Sequence, residues 1–272
     1  MITYINGKYL RASDASINIK DRGLLLGDGI FETILYKNKN IFFSKLHFSR
    51  LKKSSKIFFI EFSYKESFLN KIIQNLIKKN KLENNTLSIR ITITRGKSNR
   101  GIDIEFTQKP SLIITLTKIE NDLTMKPLKL NIAKIRRNET SLISQNKTLN
   151  YLDNIIAKKE AQNNKFDDAL FLNSKNNVCC ASTSNIYYLQ NGKFYTPPLN
   201  DGVLNGIIRE KLIAKKKVAV KSITLNNLRN CKEIFVTNSI FGVRPVLKIG
   251  KSVYSTGQKT IEIKEFLQEL GM

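Results

Sequence analysis

The stretch SQNKTLNYLDNIIAKKEA, Ser144 to Ala161, decides how the chain is read. A lysine, Lys147, stands just ahead of a segment in which Leu149, Leu152, Ile155 and Ile156 recur among polar residues at helical intervals, so the spacing predicts a helix over 149–162. A lysine amine can form a Schiff base with a carbonyl when a dry pocket or a neighbouring cation lowers its pKa, and it can act as acid and base once displaced. Most lysines do neither and are solvated surface groups. In a chain with 46 Lys and Arg against 22 Asp and Glu, Lys147 needs support from elsewhere.

Composition narrows the classes. The 272 residues, 41% of them hydrophobic, suffice for one large domain or two ordinary ones. No apolar run reaches about eighteen residues, and the opening MITYINGKYL alternates apolar with polar residues, unlike a charged leader followed by an apolar stretch. A cytoplasmic protein with no membrane partner is expected. The net charge of +24 would suit nucleic acid, but the lysines are scattered through every segment and only Lys215–Lys217 cluster, without interleaved aromatics. No nucleic-acid partner is expected. Three cysteines (Cys179, Cys180 and Cys231) and the single His47 form neither a disulfide framework nor a zinc ligand set, so no metal is expected either.

Periodicity predicts an α+β protein. MITYINGKYL reads as a hairpin turning at Asn6-Gly7, and IFETILYKNKNIFF as two more strands around a polar turn. Helical spacing covers 45–57 and 64–79, and TLSIRITITRG, SLIITLTKI and LKLNIAKI alternate as strands. Beyond the 149–162 helix come the strand DALFL, a hairpin closed by Asn191-Gly192, a helix over 207–216, strands at EIFVTN and VLKIG, and a helix over 256–270. Two domains are expected, 1–122 and 123–272, joined in the loop around Asn121 to Pro127.

Three places could hold a phosphate. In DGVLNGIIRE (201–210) Gly202 and Gly206 flank a helix start, where free N–H groups and the positive end of the helix dipole attract anions. VTNSIFGVRPV (236–246) sets Thr237, Asn238 and Ser239 at a strand end, and HFSRLKK (47–53) offers Arg50. Each alone also reads as an ordinary turn, cap or surface residue.

Their order along the chain is more specific. DRGLLLGDGIFETI, HFSRL, TRGKSNRG, KTLNYLDNIIAKKEA, ASTSNIYYL, TPPLNDGVLNGIIRE and TNSIFGVRPV follow one another as in the fold-type IV pyridoxal 5'-phosphate (PLP) enzymes, which the chain resembles over most of its length. That family includes branched-chain aminotransferases, D-amino acid aminotransferases and 4-amino-4-deoxychorismate lyases. The resemblance implies a D-amino acid aminotransferase-like fold with its active site between the two domains, and a homodimer. It implies that Lys147 bonds PLP, that Arg50, the Gly206-Ile207 backbone and the Asn238/Ser239 turn hold the cofactor phosphate, that Leu204 also contacts the cofactor, and that Tyr151 lies against it.

One position departs from the family pattern. Five residues before the Asn of the "SN" element the family usually carries a glutamate, which pairs with the protonated pyridine nitrogen; here that position is Cys180. A carboxylate keeps the ring cationic and a deep electron sink, and a thiol does so less well. Cys180 can be a neutral partner to an unprotonated ring, be compensated by a carboxylate such as Asp28 or Glu32, or mark a catalytically decayed paralogue. Cys179 reads as a small buried core residue.

Transamination must return a proton to the cofactor, whereas expelling an enolpyruvyl group drains the carbanion at once, so Cys180 points towards a lyase. TRGKSNRGI resembles the Arg-Gly-rich loop of aminodeoxychorismate lyases, with Ile102 where D-amino acid aminotransferases carry histidine; Asn205 and Ile208 replace the proline and threonine of branched-chain aminotransferases. The expectation is a PLP-dependent 4-amino-4-deoxychorismate lyase releasing 4-aminobenzoate and pyruvate for folate synthesis. Lys147 would be the base, Thr33 would assist the leaving oxygen, and Arg95 and Arg100 would clamp substrate carboxylates. The alternatives are an aminotransferase acting on D-amino or branched-chain substrates, or the decayed paralogue.

Overall fold

The computed structural model describes residues 1–104, 109–122 and 124–272. It divides into two compact units, the first holding Met1–Asn121 with Lys147–Asn150, the second Asp122–Asn146 with Tyr151–Met272. Residue 123, where the sequence reading starts its second domain, lies outside the described residues. That reading also missed the short excursion of Lys147–Asn150 into the first unit.

The first unit is a six-stranded antiparallel sheet carrying three helices. Its strands are β1 (Ile2–Ile5), β2 (Lys8–Arg11), β3 (Gly29–Lys37), β4 (Asn40–Ile41), β5 (Leu87–Thr94) and β6 (Ser111–Lys118), in the order β2-β1-β6-β5-β3-β4. The helices are α1 (Arg22–Leu26), α2 (Ser44–Ile57) and α3 (Glu66–Lys79). Strand alternation turns Ile30, Ile34 and Tyr36 of β3 and Ile89, Ile91 and Ile93 of β5 to one face, where they bury against Leu51 of α2 and Leu69, Ile73, Leu76 and Ile77 of α3. Helix α3 forms because its apolar residues recur at this three-four spacing, with Glu66 at its positive end and Lys78 and Lys79 at its negative end.

The second unit is a nine-stranded sheet that closes on itself. Its elements are β7 (Leu128–Ile132), α4 (Leu142–Gln145), α5 (Leu152–Asn163), β8 (Asp168–Leu172), β9 (Val178–Ala181), β10 (Asn185–Gln190), β11 (Lys193–Thr196), α6 (Ile207–Ala214), β12 (Val218–Val220), α7 (Leu225–Leu228), β13 (Ile234–Asn238), β14 (Gly242–Ile249), β15 (Ser252–Val253) and α8 (Gln258–Glu269). The path β12-β11-β10-β13-β14-β7-β8-β9 returns to β10 through the pair Asn185–Cys180, with β15 beside β14. Closure leaves Cys180 opposite Asn185 on one side and Phe171 on the other. The Asn191-Gly192 hairpin forms as expected, both residues at positive φ as a tight two-residue turn requires.

The helix after Lys147 differs from its sequence reading in start and in facing. It begins at Leu152, and its buried residues are Asn154, Ala157 and Ala161, whereas Leu152, Ile155 and Ile156 are 68%, 61% and 40% exposed. Residues Lys147–Leu149 are extended because they pair with β3: Phe31 N–H donates to the Lys147 carbonyl and Leu149 N–H to the Gly29 carbonyl, both at 2.9 Å. Gly29 permits this approach, since a Cβ there would stand 2.6 Å from Leu149 Cδ1 and 2.8 Å from the Ile93 carbonyl.

Candidate active site

In the first unit, pairing with β3 fixes where Lys147 points. Thr148 is bridged to Ile30 and buried, so its neighbour Lys147 faces the other way, onto the side of the sheet that carries Phe31 and Thr33 and away from α2 and α3. Its ammonium lies 4.0 Å from the centre of the Phe31 ring, which also receives the Arg90 guanidinium at 3.8 Å. Thr33 is half-buried and sits across the strand pair from Arg90.

Behind that face lies a buried ion cluster. Glu32, on the core side of β3, accepts two hydrogen bonds from Arg50, each at 2.6 Å, and one contact at 2.7 Å from His47 Nδ1. His47 and Arg50 are three apart on α2, so one helix face brings both to the carboxylate. Burial alone would raise the Glu32 carboxyl, but Arg50 and His47 outweigh it and hold it at about 2. Burial pushes the His47 imidazole down against the pull of Glu32, and the charges of Arg50 and Lys147 add to that fall. His47 Nε2 is buried without a partner.

The two arginines expected to clamp substrate differ sharply. Arg95 is buried and binds both oxygens of Asp28, at 2.7 and 2.9 Å, and the carbonyls of Phe58 and Phe59 at 2.8 and 2.6 Å. Asp28 also accepts from Arg22 Nε at 2.8 Å. This arrangement ties β5, β3, α1 and the end of α2 together and argues against Arg95 as a substrate ligand; burial and four occupied N–H donors are not visible in a motif. Arg100 is exposed, on a loop whose next three carbonyls, Gly101 to Asp103, accept from Arg22.

In the second unit, Cys180 is buried with Arg137 as its polar neighbour, a terminal guanidinium nitrogen standing 3.8 Å from Sγ. Arg137 is held by its backbone N–H on the Leu172 carbonyl, by Asn154 Oδ1 at 3.3 Å and by the Phe171 ring 4.7 Å away; its Nε is buried without a partner. Tyr151, just before α5, is half-buried within electrostatic reach of the same guanidinium. Burial raises the Cys179 thiol, which donates to the Asp201 carbonyl as a core residue would. Sequence reasoning missed Arg137 because nothing in RRNET separates one arginine from its neighbours in so basic a chain.

The phosphate candidates of this unit gather around Asn185. Its Nδ2 donates to the Leu204 carbonyl at 2.9 Å, and a Cβ on Gly206 would fall 2.1 Å from its Oδ1, so only glycine lets the turn close there. Helix α6 then starts at Ile207 with no side-chain cap, leaving its leading N–H groups for an acceptor. Asn238 Oδ1 accepts from the N–H groups of Ile240 and Phe241, both at 3.0 Å, and so shapes the turn that presents Ser239. Ser184 Oγ, beside Asn185, is buried without a partner.

In the second unit an uncapped helix N-terminus, a glycine that cannot carry a side chain and a hydroxyl turn are donors that suit a phosphate monoester; in the first, a fixed arginine suits an anion and an ammonium on an aromatic ring suits a carbonyl. The residues therefore fit PLP. The family model "Amino-transferase class IV" matches residues 29–249. The chain is 26% identical to the aminodeoxychorismate lyase of Bacillus subtilis (98% of this chain, 97% of that one) and 29% identical to a D-alanine aminotransferase of Staphylococcus aureus (98% and 95%). It superposes on the branched-chain aminotransferase of Thermoproteus uzoniensis, solved with norvaline, with a TM-score of 0.92 at 27% identity, covering 100% and 95% of the two chains.

The chain thus has the fold of the fold-type IV enzymes, with PLP as cofactor. It belongs to the class IV aminotransferase family. Among the described residues no helix is long and apolar enough to cross a membrane, and no cluster of His, Cys, Asp and Glu could hold a metal ion.

Proposed function

We propose that this chain is a 4-amino-4-deoxychorismate lyase, releasing 4-aminobenzoate and pyruvate. The observation that carries the reading is Cys180 with Arg137 at its thiol, in the place where the family pattern has a glutamate. Neither carboxylate considered as a substitute is uncommitted: Glu32 is bound by Arg50 and His47, and Asp28 by Arg22 and Arg95. The Ile102, Asn205 and Ile208 departures from the aminotransferase patterns support the same reading, as does the B. subtilis relative.

PLP supplies an electron sink conjugated to the amine-bearing carbon of the substrate. Lys147 would bond the cofactor and, as a free amine, would take the proton from the substrate carbon bearing the amine. Phe31 holds the Lys147 side chain on its own face of β3, opposite the core. As the enolpyruvyl C–O bond breaks, the ring becomes aromatic; the Lys147 ammonium or the Thr33 hydroxyl protonates the departing enolpyruvate, which becomes pyruvate. Arg50, fixed by Glu32, would be a ligand of the cofactor phosphate on the first unit; on the second, the N-terminus of α6 and the Ser239 turn would offer donors to it, and Tyr151 would contact the cofactor. Arg100 takes a substrate carboxylate.

We place the enzyme in the cytoplasm, in folate synthesis, as a homodimer. Leu24, Leu25 and Leu26 on α1 and Ile102 on the adjoining loop, between 47% and 81% exposed, support association with a second copy. The alternative is an aminotransferase on the same scaffold, favoured by the D-alanine aminotransferase relatives. Formation of 4-aminobenzoate without any 2-oxo acid supports the lyase; strict dependence of turnover on an added 2-oxo acid establishes the aminotransferase.

A further inference from the structure

Arg137 bears on the protonation state of the cofactor ring. Its guanidinium is permanently charged and cannot withdraw, because the backbone pairing to Leu172, Asn154 and Phe171 fix it from three directions. Asn154 is itself held, its Nδ2 donating to the Ser182 carbonyl at 2.5 Å. Other titratable groups near this pair include Tyr151 and Cys179, and near Cys179 also Asp201 and Glu139. Asp201 is engaged by Asn173, Asn177 and Ser222, and Glu139 by Ser174.

We propose that Cys180 donates its S–H to the pyridine nitrogen of the bound cofactor and that Arg137 keeps that nitrogen unprotonated. This rests on the reading above, in which Cys180 faces the ring nitrogen. A glutamate beside Arg137 would cancel its charge and leave room for a cationic ring. With a thiol there instead, a protonated ring would place a second positive charge next to a fixed guanidinium, which like-charge repulsion disfavours. Moving the proton from sulfur to nitrogen would instead create two further charges in a buried place. The ring is then a shallow sink, suited to a substrate whose leaving group carries the charge away.

The test is the ¹⁵N NMR shift of the holoenzyme loaded with PLP labelled at the ring nitrogen. The wild-type shift should be that of an unprotonated pyridine across the pH range in which the protein is folded. Cys180→Glu should move it upfield into the pyridinium range, and Cys180→Ser should leave it unprotonated. A pyridinium shift in the wild type overturns the proposal, as does a Cys180→Glu shift identical to wild type. A visible absorbance band lost in Lys147→Ala reports separately on cofactor attachment. Without that band the functional reading fails too, whereas a normal band with a pyridinium shift contradicts this inference alone.

Discussion

Arg50 grips Glu32 with two nitrogens, each 2.6 Å from a carboxylate oxygen, so the guanidinium is locked by its own chain; under the proposed function this fixes it for the cofactor phosphate. Glu32 is in that sense a positioning residue, and His47 steadies it from the other side. Glu32→Gln keeps the shape but removes the charge that holds the fork. It should weaken PLP binding to the apoprotein by roughly tenfold or more, corresponding to about 1.4 kcal/mol or above. Equilibrium dialysis with PLP measures this, and an unchanged Kd would show that Arg50 needs no such support.

The same cluster makes stability depend on acid. Glu32 titrates near 2 in the folded protein and near 4.5 unfolded, so its stabilisation is complete above pH 4.5 and disappears as pH falls towards 2. That difference corresponds to about 3 kcal/mol. His47 also has a lowered folded value, so its contribution is present above 6.5 and begins to fade below it. Urea midpoints should therefore decline from about pH 6.5 downward and steepen below pH 4.5. In His47→Gln the upper part of the decline should vanish.

Arg95 and Arg100 should separate cleanly. Arg95→Ala removes a buried guanidinium that satisfies Asp28 and two carbonyls, and should lower stability by about 3 kcal/mol or more. Arg100→Ala, on an exposed loop, should leave Tm within a degree or two and raise KM at least tenfold. Calorimetry and steady-state kinetics on the two variants distinguish an arginine that holds the fold from one that binds substrate.

The contrast between these arginines marks the limit of the sequence. Hairpins with Asn-Gly turns, the α3 stripe and the order of the motifs were legible because each depends on local spacing. Whether an arginine is engaged depends on Asp28, 67 residues from Arg95, and no local pattern carries that. The segment after Lys147 misled for a different reason. Its Leu and Ile residues have helical spacing, but strand pairing with β3 delays the helix to Leu152 and the residues that bury are Asn154, Ala157 and Ala161. The Cys180 position could be found by counting from Asn185, while its partner Arg137 lies 43 residues away and appears only in three dimensions.

Gly206→Ala offers a local test of the phosphate cradle. The new methyl would overlap Asn185 Oδ1, forcing Asn185 off the Leu204 carbonyl and shifting the start of α6. A stability loss of about 1–3 kcal/mol is expected, together with weaker PLP binding. Fluorescence titration of the apoprotein reads the second effect, and retention of wild-type affinity would place the phosphate elsewhere.

The most direct measurement is pyruvate release from 4-amino-4-deoxychorismate by the PLP-loaded protein with no 2-oxo acid present, run beside Lys147→Ala. Stoichiometric pyruvate from the wild type and none from the variant is the result expected of a lyase that works with Cys180 at the ring. No pyruvate, despite a normal Lys147-dependent absorbance, would contradict the lyase assignment and leave an aminotransferase or a catalytically decayed relative.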